Sequence, residues 1–123
     1  KAAVCGFPET SLHGRKPWKA DYESDGGVVA VMFAGYDPHR NQDDIVYLIV
    51  NAFWEAAEVE LPGLPEGLAW QMEINTGAEG EEYRDIPLII GNSRVLAGER
   101  SVLILTAEKS GSRREAAKKS ERN

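Results

Sequence analysis

The sequence predicts an all-β protein: an antiparallel β-sandwich of about seven strands, immunoglobulin-like in size. Three observations lead there. Apolar residues between Gly27 and Ala107 fall in short runs separated by turn-forming residues, the pattern of a sandwich of about 100 residues. Two of the runs alternate apolar and polar residues with the two-residue period of a half-buried strand. The chain has 123 residues, which fits one compact domain and is too short for a (β/α)8 barrel of about 250.

Residues 1–26 are rich in Gly, Pro and charge without sustained period, and read as an irregular lead-in from an upstream domain. Strands follow at 28–34 (VVAVMFA), 44–53 (DIVYLIVNAF), 57–61 (AEVEL), 68–75 (LAWQMEIN) and 101–107 (SVLILTA), with a shorter pair at 86–90 and 94–97 around Gly91-Asn92. In 57–61, Ala57, Val59 and Leu61 oppose Glu58 and Glu60; in 68–75, Leu68, Trp70, Met72 and Ile74 oppose Gln71, Glu73 and Asn75. Each of these strands has one buried and one wet face. The runs 28–34, 44–53 and 101–107 are apolar at both parities. A second apolar face either asks for a cover, such as another domain, or reflects central strands with aliphatic outer positions. Asn51 can bond to nearby backbone, so the chain is expected to reverse over 52–56 with Trp54 and Glu55 near the tip and Phe53 or Trp54 folded over the sandwich end. The only helical stretch, REAAKKSE at 114–121, is too short to be stable in isolation.

Composition narrows the function. Cys5 is the only cysteine, so no internal disulfide framework exists and a reducing compartment is the simpler expectation. The longest apolar runs fall far short of the roughly 20 residues of a membrane span, and the first residues lack a hydrophobic signal core. The last fifteen residues carry six basic and two acidic side chains, so of the net −6 the stretch 1–108 holds −10. An acidic body argues against phosphate-backbone binding. The basic stretch 108–123 reads as a flexible tail.

Motifs for chemistry are few. His13, His39 and Cys5 lie far apart in sequence, so no zinc or other metal site is expected. The loop DPHRNQDD (37–44) has three aspartates but neither the glycine nor the terminal glutamate of a calcium loop, and reads as a solvated connection. No G-x-S-x-G, G-x-G-x-x-G or P-loop occurs, and no cofactor is expected. Aromatics are the more informative class, because sugar rings stack on Trp and Tyr. Trp70 has core parity, whereas Trp18, Tyr22 and Trp54 lie outside the strands' core positions and are the candidate substrate-binding residues.

The order SLHGRKPWKADY, VVAVMFAG, DDIVYLIVNAFWEAAEVELPGLPEGLAWQMEINTG and RVLAGERSVLILTA, spanning about residues 8–107, resembles the C-terminal β-sandwich of glycogen-debranching enzymes of the isoamylase and pullulanase type, within the α-amylase superfamily. The resemblance implies a parent glycoside hydrolase that cleaves α-1,6 branches, with its carboxylates on a (β/α)8 barrel outside this chain, so no catalytic residue is carried over. It implies a cytoplasmic protein whose partner is that barrel, with His13, Trp18, Asp21 and Tyr22 at the junction. The expected function is a non-catalytic accessory domain that packs on and stabilises the barrel. The alternative is a carbohydrate-binding module holding α-glucan through exposed Trp and Tyr. An independent enzyme and an unrelated adhesion module are more remote.

Overall fold

The computed structural model describes residues 3–21, 23, 26–77, 89–90 and 94–109. Among them are eight strands: β1 (Thr10–His13), β2 (Val28–Asp37), β3 (Gln42–Asn51), β4 (Ala57–Glu60), β5 (Leu68–Asn75), β6 (Ile89–Ile90), β7 (Arg94–Ala97) and β8 (Ser101–Lys109). Six form one sheet in the order β1-β2-β3-β8-β5-β6, while β4 and β7 form a second. Every pairing is antiparallel. The all-β sandwich is therefore as the sequence predicts.

Its core lies between the two sheets. Ala30 and Met32 from β2, Ile45, Tyr47 and Ile49 from β3, and Leu103 and Leu105 from β8 are fully buried, facing Val59 and Ala97 of the small sheet. Burying each Ile or Leu contributes roughly 1.5–3 kcal/mol. Trp70 is buried as its parity predicts, and its indole Nε1–H donates to the Pro62 carbonyl at 2.9 Å. The Leu-Pro turn after β4 thus satisfies the one polar atom of a core tryptophan.

Four details depart from the sequence reading. The lead-in is not wholly irregular, because β1 adds an edge strand to β2 in a register that pairs His13 with Ala30. Four residues are too few to show a period, and their inward end is taken by a histidine. The stretches 89–90 and 94–97 do not pair with each other: β6 lies on β5 in the large sheet and β7 on β4 in the small one. Residues 86–88 and 91–93 lie outside the described residues. The reversal over 52–56 is a crossing between sheets, since β3 and β4 belong to different ones. Finally, a bulge between Met72 and Ile74 breaks the alternation of β5, so Ile74 turns to the outer face and is 48% exposed; Gln71, ahead of the bulge and paired with Thr106 on that same face, is buried there. Residues 110–123, most of the basic tail, lie outside the described residues.

Candidate functional site

Residues paired across an antiparallel ladder share a face, so the register defines the outer surface of the large sheet. Leu12, Val31, Leu48, Ile104 and Ile74 form one unbroken aliphatic row across β1, β2, β3, β8 and β5. At about 4.8 Å per strand the row spans roughly 19 Å. Val29, Val50 and Val102 form a second row beside it, and a third runs Thr10–Phe33–Val46–Thr106–Gln71, polar at both ends and fully buried at Gln71. Leu12 is 60% exposed and Phe33 46% exposed, while the central valines and Leu48 are only partly buried. Polar groups gather at the β5 side, where the Glu73 carboxylate accepts from Gln71 Nε2 at 2.7 Å and Thr106 Oγ1 at 3.0 Å. Contiguous exposed apolar surfaces are where proteins commonly meet partners, which makes this face the candidate site.

The lead-in residues separate into different roles. His13 is wholly buried: its ring lies 4.5 Å from that of Trp18 and 5.3 Å from that of Tyr47. The Trp18 backbone N–H donates to His13 Nδ1 at 2.8 Å. An N–H can only donate, so Nδ1 is the unprotonated nitrogen, and Nε2 carries the hydrogen toward Ser11 Oγ, 2.8 Å away. Burial holds the imidazole below its ordinary pKa, in keeping with this neutral form. His13 is thus a core residue that fixes the loop after β1, and its side chain is closed to a partner. Trp18 sits at φ 66°, a left-handed conformation that costs a bulky residue energy and that the His13 bond helps to hold. Its ring packs edge-on against Phe7 and stays 49% exposed. Tyr22 lies outside the described residues.

Asp21 lines a cleft of about 420 Å³ with Arg15, Lys16, Lys19, Glu58, Glu60 and Arg94. The cleft forms because the Glu60 N–H donates to the Arg15 carbonyl at 2.8 Å and Arg15 Nε to the Glu58 carbonyl at 3.3 Å, tying the loop to β4. Arg94 reaches Glu58 at 3.1 Å and Glu60 at 3.6 Å across the small sheet. These pairs are exposed and contribute little to stability.

Trp54 occupies the crossing between sheets. Asn51, 1% exposed, directs Nδ2 to the carbonyls of Glu55, Ala97 and Gly98 at 2.9–3.2 Å and accepts the Phe53 N–H at 3.1 Å. The Phe53 carbonyl accepts from Arg100 N–H at 2.9 Å, and the Gly27 carbonyl from Ala52 N–H at 3.0 Å. On this scaffold Phe53 is half-buried and its ring stacks on Trp54, 4.7 Å away and inclined by 24°. Trp54 points out and is 64% exposed, and neither ring is among the partly buried side chains packed on the core, which are Cys5, Phe7, Leu64 and Leu68. No ring contact joins Trp54 to Trp18 among the described residues.

Asp43, which the sequence places in a solvated loop, is a structural residue of the fold. It is buried in β3, where Oδ1 and Oδ2 accept the N–H groups of Val4 and Cys5 at 2.6 and 2.8 Å, clamping the lead-in to the sheet. Burial alone would raise its pKa, but these bonds and one from the Cys5 thiol outweigh it and hold the carboxyl below its ordinary value. Burial chiefly pushes the thiol up, the Phe7 backbone opposes it and Asp43 adds to the rise, which leaves it a poor nucleophile at neutral pH. Asp37 instead caps the turn after β2, accepting the His39 N–H at 2.9 Å. Among the described residues no three His, Cys, Asp or Glu side chains converge as metal ligands, and no helix is long and apolar enough to cross a membrane.

The scan against models of known protein families finds no match, and neither does the comparison with curated proteins.

Proposed function

We propose that this domain is a non-catalytic accessory β-sandwich that packs on a larger partner through the outer face of its six-stranded sheet. The observation that carries this reading is the aliphatic row Leu12–Val31–Leu48–Ile104–Ile74, flanked by Val29, Val50, Val102 and Phe33. A partner that covered it would gain about 25 cal/mol for each Å² of apolar surface removed from water. The partner proposed is the (β/α)8 barrel of a glycogen-debranching enzyme, on the strength of the sequence resemblance, with the protein cytoplasmic. Chemistry belongs to the barrel in this reading, and the sandwich stabilises it.

Sequencing the coding region upstream of Lys1 tests the choice of partner. A barrel with its carboxylate motifs is expected there, and any other coding context overturns that choice. The docking itself is tested in the barrel-bearing chain by Leu48→Glu. This variant should lower the barrel's melting temperature and leave the unfolding midpoint of the 123-residue chain nearly unchanged. An unchanged barrel would remove Leu48 from any interface.

A further inference from the structure

We propose that the cleft between the loop after β1 and the outer face of the small sheet binds the phosphate group of a small phosphorylated metabolite, held by the ammonium groups of Lys16 and Lys19. This inference concerns the small sheet, not the outer face of the large one, and does not rest on the docking reading. The loop carries two local costs in one place. Residues 16–19 form a tight turn in which the Lys19 N–H donates to the Lys16 carbonyl at 3.4 Å, and the two lysines pair across an isolated antiparallel bridge. Like charges set opposite each other repel. Trp18, the third residue of the turn, takes φ 66°, where glycine would be free of strain. Neighbours hold the turn in spite of this: His13 Nδ1 accepts the Trp18 N–H at 2.8 Å, and the Gly14 N–H donates to the Lys16 carbonyl at 3.3 Å. Strain that the surroundings fix in this way clusters at ligand clamps.

The charges around the cleft select the ligand class. Its volume of about 420 Å³ has room for a small molecule and not only an ion. The wall across from the turn is Glu58, Glu60 and Arg94, and Arg94 engages both carboxylates, at 3.1 and 3.6 Å. Arg15, whose Nε donates to the Glu58 carbonyl at 3.3 Å, ties the two walls together. Lys16 and Lys19 are exposed, line the cleft and make no ion pair among the described residues. With Asp21 the lining holds four cations and three carboxylates, a local reversal of sign in a body of net −10 over residues 1–108. A phosphate dianion brings charge for both ammonium groups and three acceptor oxygens for their N–H bonds. A single carboxylate would leave one ammonium unmatched. A nucleic acid would carry its further phosphates against the acidic body.

The test is a titration of the ¹⁵N-labelled 123-residue chain, read by NMR at constant ionic strength, with inorganic phosphate as the dianion in one arm and acetate in the other. The amides of Lys16 and Lys19 and the Arg15 Nε–H should shift saturably with phosphate, and acetate should bind about tenfold more weakly or less. Lys16→Gln and Lys19→Gln should each weaken phosphate binding roughly three- to fivefold, and Lys19→Arg should retain most of it. The urea midpoint gives a second reading. Phosphate should raise it in the wild type and move it clearly less in the double variant Lys16→Gln/Lys19→Gln. Lys16 and Lys19 amides that do not saturate with phosphate overturn the proposal. So do acetate binding as tight as that of phosphate, undiminished binding in the double variant, or shifts confined to the basic residues 109–123. Because both lysines are exposed, the variants keep the fold, and the wild-type titration decides the matter without them.

Discussion

The two faces of the large sheet are nearly equal in hydrophobicity and opposite in fate. On β3, Ile45, Tyr47 and Ile49 point inward and are fully buried, while Val46, Leu48 and Val50 point outward and are only partly covered. On β8, Leu103 and Leu105 are fully buried, while Val102 and Ile104 face out. The inner residues meet β4, β7 and the aromatic group of His13, Tyr47 and Trp70. The outer ones meet mainly each other across the ladder. Strand formation alone asks for β-branched residues, not for an aliphatic row five strands wide. The outer face is therefore more apolar than the sandwich needs for itself.

That contrast can be broken by substitution. Ile49→Ala should cost about 2–5 kcal/mol in urea unfolding, because it opens a cavity in a closed core. Leu48→Ala, its neighbour on the other face, should cost under about 1 kcal/mol. Equal losses would mean that the outer face is already covered within the chain. Next comes Asn51→Ala, expected to cost about 2–3 kcal/mol. It leaves the buried Ala97 carbonyl without this partner and unstitches β3 from the β7–β8 connection. The urea midpoint reads the loss, and broader NMR lines for Phe53 and Trp54 should accompany it.

Acid should reveal the inner face in two steps. The folded pKa of His13 lies below its ordinary value of 6.5, so the unfolded chain binds the proton first. Its contribution is complete above pH 6.5 and is lost as pH falls through the folded value. Asp43, ordinarily 3.8 and lowered in the fold, contributes fully above that pH and fades as pH falls through its own folded value. Stability should therefore decline below pH 6.5 and again below pH 3.8. In His13→Gln the first decline should disappear, and its persistence would assign it to another group. The smallest effect is expected of Trp54→Ala, within about 0.5 kcal/mol of wild type, since that ring covers none of the buried core.

Much of the fold was legible because the inward positions of β2, β3, β4 and β8 repeat every second residue. The doubly apolar runs also announced the outer face. What stayed hidden depends on partners distant in the chain. The alternation of β5 continues to Ile74 in the sequence, and only the ladder with β8 shows the bulge that turns Ile74 outward. Asp43 looks like any loop carboxylate until Val4 and Cys5 arrive from 38 or more residues away. The alternation puts Glu58 and Glu60 on a wet face, but the charged cleft needs Arg94, brought opposite Glu60 by the β4–β7 register. His13 looked available in an apparently irregular lead-in, and the short strand β1 is what carries it into the core.

The central claim, that the outer sheet face is made to be covered, is most directly tested by hydroxyl-radical footprinting of Phe33 and Leu48. Their labelling should be compared between the 123-residue chain and the longer chain proposed to carry the barrel. The account predicts that both side chains label readily in the former and several-fold less in the latter, while Trp54 labels in both. Equal labelling of Phe33 and Leu48 in the two chains would contradict it.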